Sequence, residues 1–417
     1  MRTMLLILFF YVTTAHANEG KENFLTVKDA LEFARRNNPE INQLRELIEE
    51  KKGEKWSSTG LSDLNFSVMR EGIDLGTNAG FDEKRWTLSQ SIDFPLVTYF
   101  QRQRINAERQ ALESKYDAEL LELKKEIKSI YTELTYAREI LHLRTQQLQL
   151  AEQLHNSTSV RFELGEASEL DLMKTDIERA EAQNELEDAR NAFHMARYGL
   201  FRSIGLDPDK QKYSIQFPDT LVYLPVVINQ YEVLNSLENQ PDYVANVKLQ
   251  QAAAKQVKAA WSSFLPQIDF SYYWQNLGYN FDNYGYEVGF SIPLWFPFNQ
   301  RGHIQTYKAV HRRTVWQKHS ITLEMKKQIE LAWHGFDHSK QIVERVHNLV
   351  RVKSRKLLEL TFQGYEAGEI DLLSLLDVQR TYLNTEKRYW DALKDYYLRV
   401  IELEKFTNRE FVLKTNE

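Results

Sequence analysis

Residues 268–275 read IDFSYYWQ and residues 284–294 read YGYEVGFSIPL. In the first run Ile268, Phe270, Tyr272 and Trp274 alternate with Asp269, Ser271, Tyr273 and Gln275. In the second, Tyr284, Tyr286, Val288, Phe290, Ile292 and Leu294 alternate with Gly285, Glu287, Gly289 and Ser291. Successive side chains of a strand point to opposite faces, so each run predicts a strand with one apolar and one polar face. Each is about ten residues long, the length that lets a tilted strand cross an outer membrane. The first half of the chain offers a second pair, with Leu64, Phe66 and Val68 followed by Trp86, Leu88, Ile92 and Phe94; Gln90 breaks its apolar stripe. Four strands are expected, paired within 61–94 and 266–294.

The two pairs belong to an internal repeat. Trp56-Ser57-Ser58 precedes Leu61, Leu64, Asn65, Phe66 and Ser67, and Trp261-Ser262-Ser263 precedes Leu265, Ile268, Asp269, Phe270 and Ser271. Further on, Phe162, Gly165, Glu166, Leu172, Asp188 and Ala189 recur 203 residues later as Tyr365, Gly368, Glu369, Leu375, Asp391 and Ala392. A repeat of this size fixes the architecture before any single residue is read.

Each strand pair is followed by a very long helical stretch. Between Tyr99 and Leu164 there is no proline or glycine, and Ile127, Ile130, Leu134, Ala137 and Leu141 step at the 3,4 spacing of a coiled coil. The counterpart over 301–362 carries Ile329, Ala332, Phe336, Val343, Val346 and Val350 in the same rhythm. A helix of that length reaches about 100 Å, too long for a compact globule. Gly165 and Gly368 punctuate, and return helices over 168–203 and 370–407 must run antiparallel because the connections are short. At the start, Thr26 is a helix cap for Ala30, Leu31 and Ala34, and Asn38-Pro39 separates that helix from a second one reaching Trp56.

Arg2, an apolar stretch from Met4 to Val12 and the Ala15-His16-Ala17 triplet make a secretory leader over 1–17, with Asn18 the first mature residue. The remaining layout is a first repeat at 18–205, a connecting segment at 206–229, a second repeat at 230–408 and a tail at 409–417. The chain has no cysteine, which excludes disulfides, thiol catalysis and cysteine-ligated metal. A net charge of −6 and a mean hydropathy of −0.53 suit neither a nucleic-acid binder nor a helical membrane protein. His334 and His338 have the spacing of a helical metal pair, but Gly335 stands where a zinc protease needs glutamate, and two ligands do not make a zinc site. No phosphate-binding loop or serine-hydrolase elbow is found, so no catalytic, cofactor or metal site is expected.

Four strands with one apolar face keep unpaired edges and cannot close a barrel, since membrane barrels begin at about eight strands. A barrel must therefore be assembled from several chains. In it the apolar face would meet lipid, the Ser, Asp, Glu and Gly face would line water, and the tyrosines and tryptophans would form interfacial girdles. A soluble sheet packed on helices, in a secreted coiled-coil structural protein without a pore, would alternate in the same way.

Leu25-Thr26, Ala30-Leu31 and Ala34 followed by Asn38-Pro39-Glu40 look like the N-terminal signature of the TolC-like outer-membrane factors of Gram-negative bacteria. Tyr365 and Gly368 leading into Leu375-Leu376-Asp377 look like that family's periplasmic-tip signature, and the likeness runs over 24–408. The resemblance implies a mainly helical, internally duplicated chain that gives four β-strands to a twelve-stranded outer-membrane barrel of a homotrimer. Its long antiparallel helices would form a periplasmic α-barrel. It further implies an exit duct of a tripartite efflux or secretion system, loaded by an inner-membrane pump and docked by a periplasmic adaptor.

The family narrows its closed periplasmic end with acidic residues at positions that fall here on Ser374 and Asp377; Asp377 matches and Ser374 departs. A threefold ring of Asp377 would favour cations at the mouth and repel anions. Asp371, one helical turn before Ser374, is a candidate second ring, though it equally suits support of a helix N-terminus. Asp171 matches an acidic position that helps latch the tips, while the basic partner position is Ile370. The turns Leu164-Gly165-Glu166-Ala167-Ser168 and, after Tyr365, Ala367-Gly368-Glu369-Ile370-Asp371 match the adaptor-docking tips. Either glycine alone would also serve as an ordinary helix end.

Overall fold

The computed structural model describes residues 23–72, 82–205, 215–216, 220–277, 282–292 and 295–411. The leader expected over 1–17, parts of the connecting segment, Leu294 and the last six residues lie outside them. Strand β1 (Asn23–Phe24) leads to Thr26, whose hydroxyl accepts the Asp29 N–H while Asp29 accepts the Thr26 N–H, a capping box that starts α1 (Val27–Asn37). Asn38 then caps α2 (Pro39–Ser57), accepting the Ile41 N–H at 3.0 Å. There follow β2 (Asn65–Glu71), β3 (Glu83–Ile92), the 69-residue α3 (Pro95–Glu163) and its return, α4 (Glu169–Ser203).

The second half repeats this order. Strand β4 (Ile215–Gln216) pairs in parallel with β1, and after α5 (Gln230–Leu234), a 3-10 turn and α6 (Pro241–Ser262) come β5 (Gln267–Asn276) and β6 (Asp282–Ser291). Helix α7 (Phe296–Arg345) continues through a π turn (Val346–Val350) into α8 (Arg351–Glu366), and α9 (Leu372–Thr407) returns. Both long helices begin a few residues before the expected starts at Tyr99 and Arg301. Each has a proline in its first turn, where the missing N–H costs nothing and the fixed φ suits the helix, so Phe94-Pro95 and Phe296-Pro297 open the helices.

The four long strands form one antiparallel sheet in the order β2-β3-β5-β6. Below it α3 packs against α2 and α6, and α6 against α7, so the helices continue the order of the strands that run into them. Further from the sheet, α3 lies between α4 and α9, and α9 packs on α7 and α8. Two apolar cores sit midway along the rods, one per repeat. In the first, Ala30, Ala34 and Ile41 meet Ile127, Tyr131, Leu134, Leu200 and Phe201. In the second, Leu221 and Val233 meet Ile329, Phe336, Val343, Leu393, Tyr396 and Val400. The connecting segment is fastened to that second core: Tyr396 donates to the Leu224 carbonyl and accepts the Val226 N–H, and Tyr397 donates to the Val222 carbonyl. Burial pushes the Tyr397 hydroxyl up to about 12, so it stays a donor.

The apolar stripe of the second long helix departs from the expected rhythm at one point. Ile329, Ala332, Phe336, Val343 and Val346 are buried, whereas Val350 is 37% exposed. Beyond it the buried positions are Ser354, Thr361 and Tyr365, each one residue later than a continued 3,4 spacing requires. The π turn is the cause: it accommodates one extra residue and rotates everything after it. The sequence carries the same insertion, since Phe-Pro repeats 202 residues apart at the helix starts and Gly165 and Gly368 lie 203 apart at the ends.

Candidate functional site

Register puts one apolar band across the whole sheet. Phe66 stands opposite Leu88, Leu88 opposite Tyr272 and Tyr272 opposite Tyr286; one row along, Val68, Trp86, Trp274 and Tyr284 face each other in turn. Ser67, Thr87, Tyr273 and Gly285, and likewise Ser89, Ser271 and Glu287, share the other face. No residue of these four strands is buried, so neither face is covered by the helices. Gln90, in the apolar band, is satisfied locally by donating to the Ser62 carbonyl at 3.2 Å. On the polar face a Cβ on Gly285 would lie 2.6 Å from the Tyr273 ring, so a larger residue there would have to displace that side chain.

At the far ends of the rods the two turns are built alike. Gly165 and Gly368 have φ of 75° and 76°, the left-handed region that glycine adopts without strain. The Glu166 N–H bonds the Arg161 carbonyl and the Glu369 N–H bonds the Gly364 carbonyl, so both helices end in the same Schellman geometry. Leu164 is 69% exposed, and a Cβ on either left-handed glycine would meet nothing within 4 Å.

The return helices start with one chemistry in two arrangements. In the first turn Ser168 is the cap: its hydroxyl accepts the Asp171 N–H and donates to the Asp171 carboxylate at 2.7 Å. In the second, Asp371 is the cap, accepting the Ser374 N–H at 2.9 Å and the Ser374 hydroxyl at 2.9 Å. Serine and aspartate have exchanged places at equivalent positions. The hydrogen bonds from Ser374, the backbone N–H foremost, hold the Asp371 carboxyl below its usual range. Asp171 also lies 3.9 Å from Lys174, the equivalent of Asp377. Asp377 itself is exposed and forms no ion pair among the described residues. Ile370, in the second turn, folds back onto α8, its side chain occupying the space a Cβ on Gly364 would fill.

Several residues that join the tips carry no local motif. Leu154 of α3 is buried with Tyr365, Leu372 and Leu375 of the second hairpin, and the Arg161 guanidinium lies 5.3 Å over the Tyr365 ring. Between α3 and α8, with α9 as its floor, runs a cleft of about 640 Å³ bordered by Leu150, Phe362, Leu375, Gln379 and Tyr382. Among the described residues Gln379 Nε2 has no hydrogen-bond partner there, nor has Thr158 Oγ1. Higher up the second hairpin Glu386, 4% exposed, takes two hydrogen bonds from Arg351 Nε, and the guanidinium lies 4.0 Å over Tyr389. His334 and His338 are exposed, and no metal-competent cluster occurs among the described residues.

The family model for outer membrane efflux proteins matches residues 63–206 and 234–409. None of the curated proteins compared matches in sequence. Solved structures match over nearly the whole chain. The outer membrane protein VceC from Vibrio cholerae superposes with a TM-score of 0.76 at 16% identity, covering 92% of this chain and 96% of its own. The Campylobacter jejuni CmeC outer membrane channel gives 0.74 at 13% identity, covering 100% and 96%, and the Neisseria gonorrhoeae MtrE outer membrane channel 0.70 at 16%, covering 91% and 88%. At these identities the likeness establishes the fold, a helical barrel with a β-barrel contribution, while the match of both repeats to the family model establishes the lineage. The chain belongs to the outer membrane efflux protein family, as a passive channel component of the outer membrane that extends into the periplasm and not as an enzyme.

Proposed function

We propose that three copies of this chain close a twelve-stranded barrel and form the exit duct of a tripartite efflux or secretion system, gated at the helical tips. The observation that carries the reading is the sheet. Its edges, β2 and β6, each have one partner, its apolar band is exposed from edge to edge, and its opposite face is polar. A packed soluble sheet would bury one face. This sheet buries neither, and joining copies edge to edge satisfies the edges while turning the apolar band to lipid. The same reading takes residues 1–17 as a secretory leader and the two repeats as equivalent staves of the duct.

At the periplasmic end the gate is assigned to Asp377, whose unpaired carboxylate would be repeated three times around the mouth, with Ser374 beside it. Asp371 and Asp171 are placed by their hydrogen bonds as helix-start residues, and their contribution to the gate is through that role. Adaptor docking is assigned to the turns at Gly165 and Gly368, supported by their shared geometry, the open space over both glycines and the unpartnered Gln379 amide in the adjoining cleft. An inner-membrane pump would load the duct. Planar-bilayer reconstitution tests the whole reading: discrete conductance steps are expected, and a folded oligomer that gives none overturns it.

A further inference from the structure

Strands β3 and β5 join the first repeat to the second, and their equivalents in the other repeat, β6 and β2, are the two open edges of the sheet. Phe66 of β2 is equivalent to Phe270 of β5 in the repeat. Phe66 stands opposite Leu88 and Phe270 opposite Val288, so Leu88 of β3 and Val288 of β6 are equivalent too. Within the chain Leu88 stands opposite Tyr272, and Gln90 opposite Phe270. The same two pairs carried to the open edges set Val288 opposite Val68, and Phe290 opposite Phe66, of a second copy. Both residues of each pair then lie on the apolar face, so the band crosses the seam unbroken. All four side chains are exposed in the single chain.

The helices below the sheet mark the same seam independently. Gly53 lies inside α2 and Gly302 inside α7, where glycine weakens a helix, and a Cβ on either would meet nothing within 4 Å among the described residues. Between the repeats α6 meets α3 with the Lys258 ammonium 5.9 Å over the Phe100 ring. Phe100 is equivalent to Gly302, counted from Phe94-Pro95 and Phe296-Pro297, and Lys258 to Gly53, counted back from Trp261 and Trp56. The place that a lysine and a phenylalanine fill within the chain is thus left to two glycines between copies, which lets α7 and α2 come close. Charge fits as well. Helix α7 has no acid from 296 to 323 and carries exposed Arg301 and Arg312, while α2 presents exposed Glu46 and Glu50; none of the four forms an ion pair among the described residues.

We infer that the seam between copies repeats the seam between the halves: Val288 pairs with Val68 and Phe290 with Phe66 of the next copy, and Gly302 of α7 packs on the next copy's Gly53. This deepens the reading of three copies closing one barrel and rests on it.

The chain has no cysteine, so paired substitutions in the full chain test the seam without background. Val288→Cys with Val68→Cys should give, on mild oxidation of the detergent-solubilised oligomer, a band of three chain masses that reduction abolishes. Within one chain the two sites lie three strand spacings apart, about 14 Å, too far for an internal disulfide. Leu88→Cys with Tyr272→Cys, the equivalent pair, is the control and should close inside one chain. Val288→Cys with Phe66→Cys, on the same face but out of register, should not cross-link. Gly53→Leu or Gly302→Leu, added to the first pair, favours its own helix and should still abolish the cross-link by holding the helices apart. Light scattering reads the oligomer mass separately. Cross-linking of the out-of-register pair, or of neither pair, in an oligomer of three chain masses overturns the seam and leaves the three-copy reading standing. Full cross-linking in both leucine variants overturns the glycine contact. A protein that forms the control disulfide but is not a trimer overturns the three-copy reading and the seam with it.

Discussion

The first tip and the second share a backbone and differ in chemistry. Both turn on a left-handed glycine, close with the same backbone hydrogen bonds and restart with a serine-aspartate pair three residues apart. Yet Ser168 caps one helix and Asp371 the other, and the first tip carries Lys174 where the second carries Asp377. Further up, only the second hairpin has a π turn and a buried arginine-glutamate pair; the first has Leu148 and Gln183 at the equivalent positions. The turn geometry is therefore common property of both repeats, while charge and helix phase have been specialised in the second. The gate proposed above, on one hairpin of each pair, would need such a difference, because a moving element needs its own interactions to break and remake.

The largest expected effect concerns the pair that only the second hairpin has. Glu386→Ala leaves Arg351 without its carboxylate against Tyr389, and should destabilise α8–α9 by about 3 kcal/mol. Hydrogen exchange should speed up there and not in α3–α4; equal acceleration in both hairpins would show that they do not unfold as separate units. The exchanged caps give the next effect. Asp371→Ala should loosen the start of α9, whereas the double change Asp371→Ser with Ser374→Asp, which recreates the first tip's arrangement, should restore most of the lost order. Since the folded carboxyl titrates below its free value, its contribution is complete above the ordinary carboxylate range and is lost as pH falls through the lowered value. Exchange in the first turn of α9 should therefore rise on acidification in the unaltered chain and become insensitive to acid in Asp371→Ala.

Asp377→Lys gives the second tip the charge of the first. Block of the channel by a trivalent cation should weaken at least about fivefold, read as single-channel current in planar bilayers; unchanged block would remove Asp377 from the mouth. The smallest change is expected from deleting Asn348 within the π turn. The helix should become regular there, Ser354, Thr361 and Tyr365 should stay buried, and stability should move by about 0.5 kcal/mol or less, measured by thermal unfolding. A large loss would mean that the π turn is held by its surroundings and is not a simple insertion.

The strands, caps and rods were legible because each is encoded locally. Alternation over ten residues specifies a two-faced strand, and Thr26 with Asp29, or Ser168 with Asp171, specifies a helix start within four residues. The phase shift at Val346–Val350 was not legible in the apolar stripe, which reads on through an insertion; only the change of repeat offset from 202 to 203 residues marks it in the sequence. The contacts of Leu154 and Arg161 with Tyr365 were hidden for a different reason. They join residues some 200 apart whose types are unremarkable in either helix, and only the packing of the two repeats brings them together.

By itself the sequence determined the duplication, the period of each element and the fact that one chain cannot close its own sheet. Those properties follow from nearest-neighbour backbone geometry and from counting edges. The tertiary structure decided which strand lies beside which, hence that β3 and β5 join the repeats, that the apolar band is unbroken, and that Arg70 meets Lys84 instead of Glu83. Register is set by long-range pairing, and a shift of one residue would turn every one of those side chains to the opposite face.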